Sequence, residues 1–328
     1  MNSRDEGPLT DSLRLYLAHK RALGKRLEKT GPMLRLLEVY LVEQGVGEIS
    51  QICPAHLENF LNSRPRRSAR SYNELLGMVR RFFTWLVRQG KLVTSPLQCL
   101  PRRVLAARQP FLFNSDQVRC LLGLARQLDR NPRFPDRGET YRMILALLYG
   151  LGLRVGETCR LQRQDIDLDQ QLLMIRKTKF GKSRLVPFGP RMARAISDYL
   201  DRTEARVGTL APDCPLFSFD RGRQQPLRPT TVSRTFHELA AKLNLTIPPG
   251  VAPPHLHCLR HSFAVGTLLR WYRAGVDPMT RLFDLSTFLG HVSPSSTAVY
   301  LTITPELLAC ASQRFAHFAA GSRKEGAR

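Results

Sequence analysis

The chain has 328 residues, 43% of them hydrophobic, and its 50 Lys and Arg against 27 Asp and Glu give a formal net charge of +23. This length fits two domains that each bury a core, and the hydrophobic share excludes a disordered chain. The longest apolar run, residues 143–153, is too short to span a membrane. The large positive charge predicts a polyanionic partner.

Two features of the whole chain bear on its compartment. The first residues, 1–6, include acidic side chains and lack the apolar segment of a secretory signal. The 7 cysteines are an odd number without a Cys-x-x-Cys pair, which argues against a disulfide framework and a zinc ribbon. We therefore expect a cytoplasmic protein.

The first 100 residues have the pattern of a small domain of four helices. The clearest helix has apolar residues at alternating spacings of four and three and ends before Gly90. This stripe consists of Tyr72, Leu76, Val79, Phe83 and Leu86. Basic residues before this helix predict contacts with nucleic-acid phosphates, against the alternative of a solvated face. They are Arg64, Arg66, Arg67 and Arg70.

A basic stretch follows between Pro101 and Pro110 and is predicted to be an interdomain linker. It contains two further candidate phosphate contacts, Arg102 and Arg103. Beyond it, residues 172–177 and 184–188 are rich in Val, Ile and Leu and predict a β-hairpin. Helices are predicted over residues 190–200, 230–243, 259–274 and 305–318.

The start of the helix predicted over residues 230–243 carries Arg228 and Arg234 nearby. These side chains are candidates for DNA contact, with a solvated helix end as the alternative. Taken together, the patterns predict a mainly α protein with a small β-sheet. We expect a helical domain over residues 1–104, an α+β domain over residues 105–320 and a disordered tail over residues 321–328.

Three separated segments place polar side chains beside apolar ones. In the first, an apolar helix breaks at glycines and presents Arg154, with Glu157 three residues later. In the second, His257 and Arg260 lie three residues apart on one predicted helix face. In the third, Tyr300 follows a histidine of a Leu-Gly-His sequence, His291.

Each segment also has a structural interpretation. Arg154 and Glu157 suit an ion pair, each histidine suits a satisfied structural role, and Tyr300 suits a core position. A metal site is a further alternative, disfavoured because no carboxylate lies in the histidine segments and no Glu completes a zincin pattern. Its four histidines would be His255, His257, His261 and His291.

The combination of these residue types is what metal-free phosphoryl transfer requires. Two Arg can neutralise charge on non-bridging oxygens, a Lys can protonate a leaving oxygen, and a Tyr can act as a covalent nucleophile. A phenol has a pKa near ~10, so Tyr300 needs a proton acceptor or a positive field. By residue type, His257 is the nearest candidate acceptor.

The three segments resemble the signature motifs of the tyrosine recombinase (phage integrase) family. These motifs are an Arg after a glycine-containing helix end with an acid three residues later, then His-x-x-Arg-His-x-x-Ala, then Leu-Gly-His with Thr-x-x-Tyr. They are matched by Gly152, Arg154 and Glu157, by His257, Arg260, His261 and Ala264, and by Leu289, Gly290, His291, Thr297 and Tyr300. The first 100 residues resemble the family's core-binding domain by pattern alone.

The family's catalytic Lys lies in a β-hairpin before an Arg-Leu-Val-Pro strand, which is matched by residues 184–187. Register counted back from Arg184 favours Lys179, with Lys182 as the alternative. The chain departs from the family pattern at Leu151, where Thr or Ser is common, and in the longer segment over residues 270–284. It is similar to the compact two-domain members, both Xer-like and transposon-associated.

The resemblance implies a SAM-like core-binding domain followed by an α+β catalytic domain. It implies a site-specific recombinase that cleaves and rejoins DNA through a 3′-phosphotyrosine, for integration, excision or transposition of a mobile element. The catalytic residues would be Arg154, Lys179, His257, Arg260, His291 and Tyr300, with Glu157 as support for Arg154. No cofactor or metal is implied.

The implied partner is double-stranded DNA, bound in the cytoplasm at the nucleoid by a homotetramer, with sister recombinases as alternative co-subunits. A terminal apolar stripe fits docking on a neighbouring protomer or packing within one chain; it consists of Leu308, Ala311, Phe315 and Phe318. Two other functions stay open at this point. They are a type IB topoisomerase-like enzyme and a non-catalytic DNA-binding regulator derived from a recombinase.

Overall fold

The computed structural model describes residues 7–25, 27–66, 68–104, 108–128, 134, 136–176, 183–220, 222–302, 307–309 and 312–313. The chain divides into two compact units, Met1–Ala107 and Arg108–Arg328. Among the helices of these residues, none has the length and apolar character needed to cross a membrane.

The N-terminal unit is built from helices around one apolar core. They are α1 (Thr10–Ala22), α2 (Thr30–Glu43), α3 (Pro54–Asn62) and α4 (Ala69–Arg88). The predicted stripe of α4 is buried along its whole length, as its spacing required. The Ser68 hydroxyl accepts a hydrogen bond from the Ser71 amide and caps the start of α4, and Gly90, at a φ of 69°, follows its end.

The chain after α4 folds back onto that helix. The Asn73 side chain donates to the Arg102 carbonyl and accepts from the Arg102 amide, both at 2.8 Å. The Arg102 guanidinium stacks on the Tyr72 ring, 3.9 Å from its centroid. The first part of the predicted linker is therefore fixed to the N-terminal unit by Asn73 and Tyr72.

The C-terminal unit combines helices with a small sheet. Its elements in chain order are α5 (Ser115–Arg126), α6 (Arg137–Gly150), α7 (Val155–Cys159), β1 (Ile166–Asp167), β2 (Leu172–Ile175), β3 (Arg184–Pro187), α8 (Pro190–Val207), α9 (Pro229–Ala241), α10 (Leu256–Arg273), α11 (Leu282–Leu289) and α12 (Ser295–Ala298). The strands form an antiparallel sheet in the order β1-β2-β3. A 3₁₀ turn, Val299–Thr302, follows α12.

The mainly α prediction with a small sheet is confirmed, including the hairpin of β2 and β3. Two differences have local causes. The two-residue strand β1 is too short to show an alternating pattern. Helix α10 begins at Leu256, before the predicted start, because the His255 ring nitrogen and backbone interact with Cys258 in its first turn. Of the helix predicted over residues 305–318, only 307–309 and 312–313 are described.

Helix α6 is the centre of the larger unit and determines where its polar segments lie. Residues such as Ile144, Leu147 and Leu148 are buried, and the helix contacts α5, α8 and α10. Gly152, just after its end, has a φ of 59°, and a Cβ there would lie 2.5 Å from the Phe263 ring. Only glycine allows this close approach, which brings the chain before α7 against α10.

Candidate active site

Arg260 joins three parts of the C-terminal unit. Its side chain is 1% exposed and lies on α10. One terminal nitrogen donates to the Gly152 carbonyl at 2.6 Å and the other to the Leu289 carbonyl at 2.7 Å. Burial, followed by the nearby Arg154 charge, lowers the pKa of Arg260 to about 10, so the group is still a cation at neutral pH.

Arg154 lies beside Arg260 but faces solvent more. It precedes α7, its side chain is 32% exposed, and one terminal nitrogen donates to Glu157 Oε1 at 2.8 Å. The other donates to the Gly290 carbonyl at 3.0 Å. The ion pair that the sequence allowed is therefore present, and the same guanidinium also reaches the segment that carries His291.

Glu157 is shared between two arginines. Arg184, at the start of β3, donates to both of its carboxylate oxygens at 3.0 and 2.9 Å and to the Phe288 carbonyl at 3.0 Å. Burial alone would raise the pKa of Glu157, but hydrogen bonds and charge from Arg184, then Arg154, lower it to about 2. The sequence identified Arg184 only as a strand residue, and no local signal marks its contact with Glu157.

The segment after α11 positions His291. Gly290 has a φ of 67°, and a Cβ there would lie 2.7 Å from the Arg184 guanidinium. The His291 Nδ1 lies 2.7 Å from the hydroxyl of Thr297, which is fully buried. Burial, then the charges of Arg260 and other cations, lowers the pKa of His291 to about 4. His291 is therefore neutral at pH 7 and held through one ring nitrogen.

Tyr300 lies in the turn after α12, and its side chain is 3% exposed. It packs in an apolar cluster with Ala264, Val265 and other residues of α10 and α11. Its hydroxyl lies 2.9 Å from His261 Nδ1, and its ring is nearly parallel to that of His291, with centroids 6.3 Å apart. Burial raises the pKa of Tyr300, while Arg260 and then Arg154 lower it.

The structure corrects the predicted neighbour of the tyrosine. The hydroxyl of Tyr300 meets His261, and His257 instead makes an edge contact with the His261 ring at 4.6 Å between centroids. The reason is the part of α10 against which Tyr300 packs. Tyr300 belongs to the same apolar cluster as Ala264 of α10. His261 lies on the same face of that helix, three residues before Ala264, whereas His257 lies one further turn toward the helix start. The sequence signal that could have pointed to His261 was its spacing of four residues from His257, which places both histidines on one face of a helix.

The other predicted site residues fall into three groups. Lys179, Lys182 and Arg67 lie outside the described residues. Among the candidate DNA contacts, Arg64 lies over the Phe60 ring and Arg66 contacts Met33, so both are half-buried on their own unit. The exposed candidates are Arg70, Arg102, Arg103, Arg228 and Arg234.

Within the described part of the chain, no three His, Cys, Asp or Glu side chains are arranged to hold a metal ion.

Comparison with known protein sequences places this site in a family. The model of the phage integrase family matches residues 113–306. A putative integrase/recombinase, y4rB, of Sinorhizobium fredii is 35% identical over 302 residues, which cover 91% of this chain and 94% of that protein. The tyrosine recombinase XerC of Listeria welshimeri is 28% identical, with 82% of this chain and 84% of that protein covered.

Solved structures share the fold. The Tn1549 transposon integrase in complex with transposon right end DNA has a TM-score of 0.63 at 16% identity, covering 94% of this chain and 99% of that one. The lambda integrase tetramer bound to a Holliday junction has a TM-score of 0.61 at 18% identity, covering 91% and 78%. With its family match and a 35% identical full-length relative, the chain belongs to the phage integrase family and is a site-specific tyrosine recombinase.

Proposed function

We propose that this recombinase cleaves one DNA strand with Tyr300 as the nucleophile and holds the strand as a 3′-phosphotyrosine. The observation that carries the proposal is the convergence of Arg154, Arg260, His291 and Tyr300. Arg154 and Arg260 reach the main chain around residues 289 and 290, directly before His291, and the His291 ring stacks on Tyr300. These groups come from three separated sequence segments and meet at one place.

The chemistry of the cleavage step follows from these side chains. The Tyr300 oxygen forms a bond to phosphorus as the bond to the 5′ oxygen breaks. Arg154 and Arg260 stabilise the negative charge that develops on the non-bridging oxygens, since a guanidinium can hold two oxygens at once. Glu157 keeps Arg154 in place. His291, with Nδ1 occupied by Thr297, offers its other nitrogen to the phosphate.

The leaving 5′ oxygen needs a proton, and Lys179 is the proposed donor, with Lys182 as the alternative. Both precede Arg184 in the hairpin sequence, and Arg184 is part of the site through Glu157. This neighbourhood supports the assignment. His257, exposed at the start of α10, is proposed to assist proton transfer and phosphate binding. The reverse attack by a 5′-hydroxyl of a partner strand rejoins the DNA, so no cofactor or ATP is required.

The proposed substrate is double-stranded DNA. A net charge of +23 and exposed arginines in both units support phosphate contacts, with the residues 1–104 as a core-binding domain and 105–320 as the catalytic domain. The related fold of lambda integrase is seen as a tetramer on a Holliday junction, and we extend that assembly to this chain. Docking of the terminal stripe that begins at Leu308 on a neighbouring protomer would hold such a tetramer.

The proposed biological role is integration, excision or transposition of a mobile element. Similarity to the putative integrase/recombinase y4rB and to the fold of the Tn1549 transposon integrase supports this role. The enzyme would act in the cytoplasm on nucleoid DNA, with itself or a sister recombinase as the second subunit type.

A plasmid assay tests this proposal. The purified protein is incubated in EDTA with supercoiled plasmid that carries the DNA flanking its own gene, and the products are sequenced across new joints. Exchanged joints are the expected result. Relaxation without exchange would indicate a topoisomerase-like enzyme and overturn the proposed recombination. Tight binding without cleavage would indicate a regulator and overturn the proposed cleavage by Tyr300 as well.

A further inference from the structure

We propose that His261 is the group that takes the proton from Tyr300 during cleavage and returns it during rejoining. The inference rests on the proposed role of Tyr300 as nucleophile and adds a catalytic residue to it. Its basis is the distance of 2.9 Å between His261 Nδ1 and the Tyr300 hydroxyl oxygen, within reach of direct proton transfer.

The contacts of its helix fix the position of His261. It lies within the 18-residue helix α10, next to Arg260, whose two carbonyl contacts fix that turn. The ring is half-buried between the rings of His257 and Tyr300. With the proton of the neutral ring on Nε2, Nδ1 accepts the hydrogen bond of the phenol. A base held this way needs no rearrangement to receive the proton.

Burial, together with positively charged neighbours, keeps His261 neutral before DNA binds. The charged and titratable neighbours on its own helix and at its start are His255, His257 and Arg260, and those on the elements packed against it are His291 and Tyr300. Burial, then His255 and Arg260, lowers the pKa of His261 to about 4. A bound phosphate offsets the positive charge of Arg260 and so raises the basicity of the imidazole when the proton must move.

The other histidines of the site are less suited to this role. The Nδ1 of His291 is taken by Thr297, and its ring is stacked nearly parallel to the Tyr300 ring, an arrangement that brings ring faces together. The ring of His257 makes an edge contact with the ring of His261. The Tyr300 hydroxyl lies at hydrogen-bond distance from His261. Among the histidines of the site, His261 is therefore the one whose ring nitrogen contacts the reacting oxygen.

The step balances in both directions. In cleavage, the bond between phosphorus and Tyr300 Oη forms, the bond to the 5′ oxygen breaks, and the phenol proton moves to His261 Nδ1. The 5′ oxygen receives its proton from the proposed general acid, Lys179 or Lys182. In rejoining, the 5′-hydroxyl returns that proton as it attacks, and the His261 imidazolium protonates Tyr300 as it leaves.

The test compares the rates of covalent cleavage of a nicked, flanking-site DNA in single-turnover conditions. His261→Ala and His261→Gln are measured with His237→Gln, an exposed histidine of the same unit, as the control. Loss of a general base predicts a rate about 10²- to 10⁴-fold lower, with unchanged DNA affinity and an unchanged urea midpoint. Added imidazole is expected to restore part of the cleavage rate of His261→Ala, because it can replace the missing base. The cleavage rate of this variant is also expected to rise steeply with pH, because the phenol must then lose its proton to solvent.

A second variant separates proton transfer from a structural role. Tyr300 is replaced by a fluorinated tyrosine, whose phenol is more acidic and needs the base less. The proposal predicts that His261→Ala then costs far less than it does with ordinary tyrosine. An equal cost in both backgrounds, or cleavage by His261→Ala at the normal rate or faster, would overturn it. Cleavage by Tyr300→Phe would instead overturn the proposed nucleophile, so the two failures are distinguishable.

Discussion

Arg184 and Glu157 form a two-point contact between the start of β3 and helix α7, with both carboxylate oxygens paired to the guanidinium. Glu157 in turn holds Arg154, and Arg184 also binds the Phe288 carbonyl near the end of α11. The hairpin, the first arginine of the site and the segment before His291 are thereby connected through one buried carboxylate. Changes to this connection are expected to affect both stability and activity.

Replacing Arg184 by Met is expected to destabilise the C-terminal unit and reduce cleavage. Removal of one partner leaves the carboxylate of Glu157, which is 4% exposed, without its largest compensating charge. Breaking a buried pair costs about 3–5 kcal/mol, measured by urea unfolding. Arg184→Lys keeps the charge but loses the two-point contact. Its free energy of unfolding is expected to lie between those of Arg184→Met and the wild type.

Arg119→Met is the matched control for this experiment. Its pair with Asp116 is largely exposed, at 78% and 76% of the two side chains. An exposed pair contributes about 0–1 kcal/mol, so little change is expected. Equal losses for Arg119→Met and Arg184→Met would contradict the assigned importance of the Glu157 contact.

The stability contribution of Glu157 is expected to depend on pH. Its pKa is about 2 in the folded protein against 4.5 as the ordinary value, so the folded state favours the ionised form. The contribution is complete above pH 4.5 and is lost as the pH falls toward 2. It amounts to about 3 kcal/mol by linkage. Urea unfolding between pH 7 and pH 3 should therefore show the difference between wild type and Glu157→Gln shrinking at acid pH; a constant difference would contradict the pairing.

Gly290→Ala is expected to be more damaging than a change of conformation alone explains. A methyl group there would lie 2.7 Å from the Arg184 guanidinium, in addition to the cost of a φ of 67°. Gly275→Ala is the control, because Gly275 has a φ of 74° and open space around its Cβ position. That position should show only the backbone cost of about 1 kcal/mol. Thermal unfolding and cleavage rates of both variants check the difference, and equal effects would refute it.

The sequence predicted the features that depend on local pattern. The α4 stripe is buried as its spacing required, and β2 pairs with β3 as the hairpin pattern predicted. Contacts between distant positions were not predictable. Arg184 and Glu157 are 27 residues apart, and His261 and Tyr300 are 39 apart. The first pairing depends on how β3 lies beside α7, and the second on how the turn after α12 packs against α10. The residue types were visible in the sequence, but the identity of each hydrogen-bond partner was not.

DNA binding is expected to depend steeply on salt, because the proposed contacts are with phosphates. Arg228 and Arg234 are exposed at and near the start of α9. Alanine at either position should lower the slope of log affinity against log salt by about 0.9, whereas Arg119→Ala should leave it unchanged. Fluorescence anisotropy over a salt series measures the slope, and a flat response of the wild type would contradict phosphate contacts altogether.

Covalent attachment of Tyr300 to DNA is the step on which the proposed function depends. The most direct measurement is to quench a cleavage reaction with detergent, digest the DNA and the protein, and map the nucleotide-bearing peptide by mass spectrometry. We expect a phosphonucleotide on Tyr300, and no adduct for Tyr300→Phe even though that variant still binds DNA. An adduct on another side chain, or covalent cleavage by Tyr300→Phe, would contradict the assignment of Tyr300 as the nucleophile.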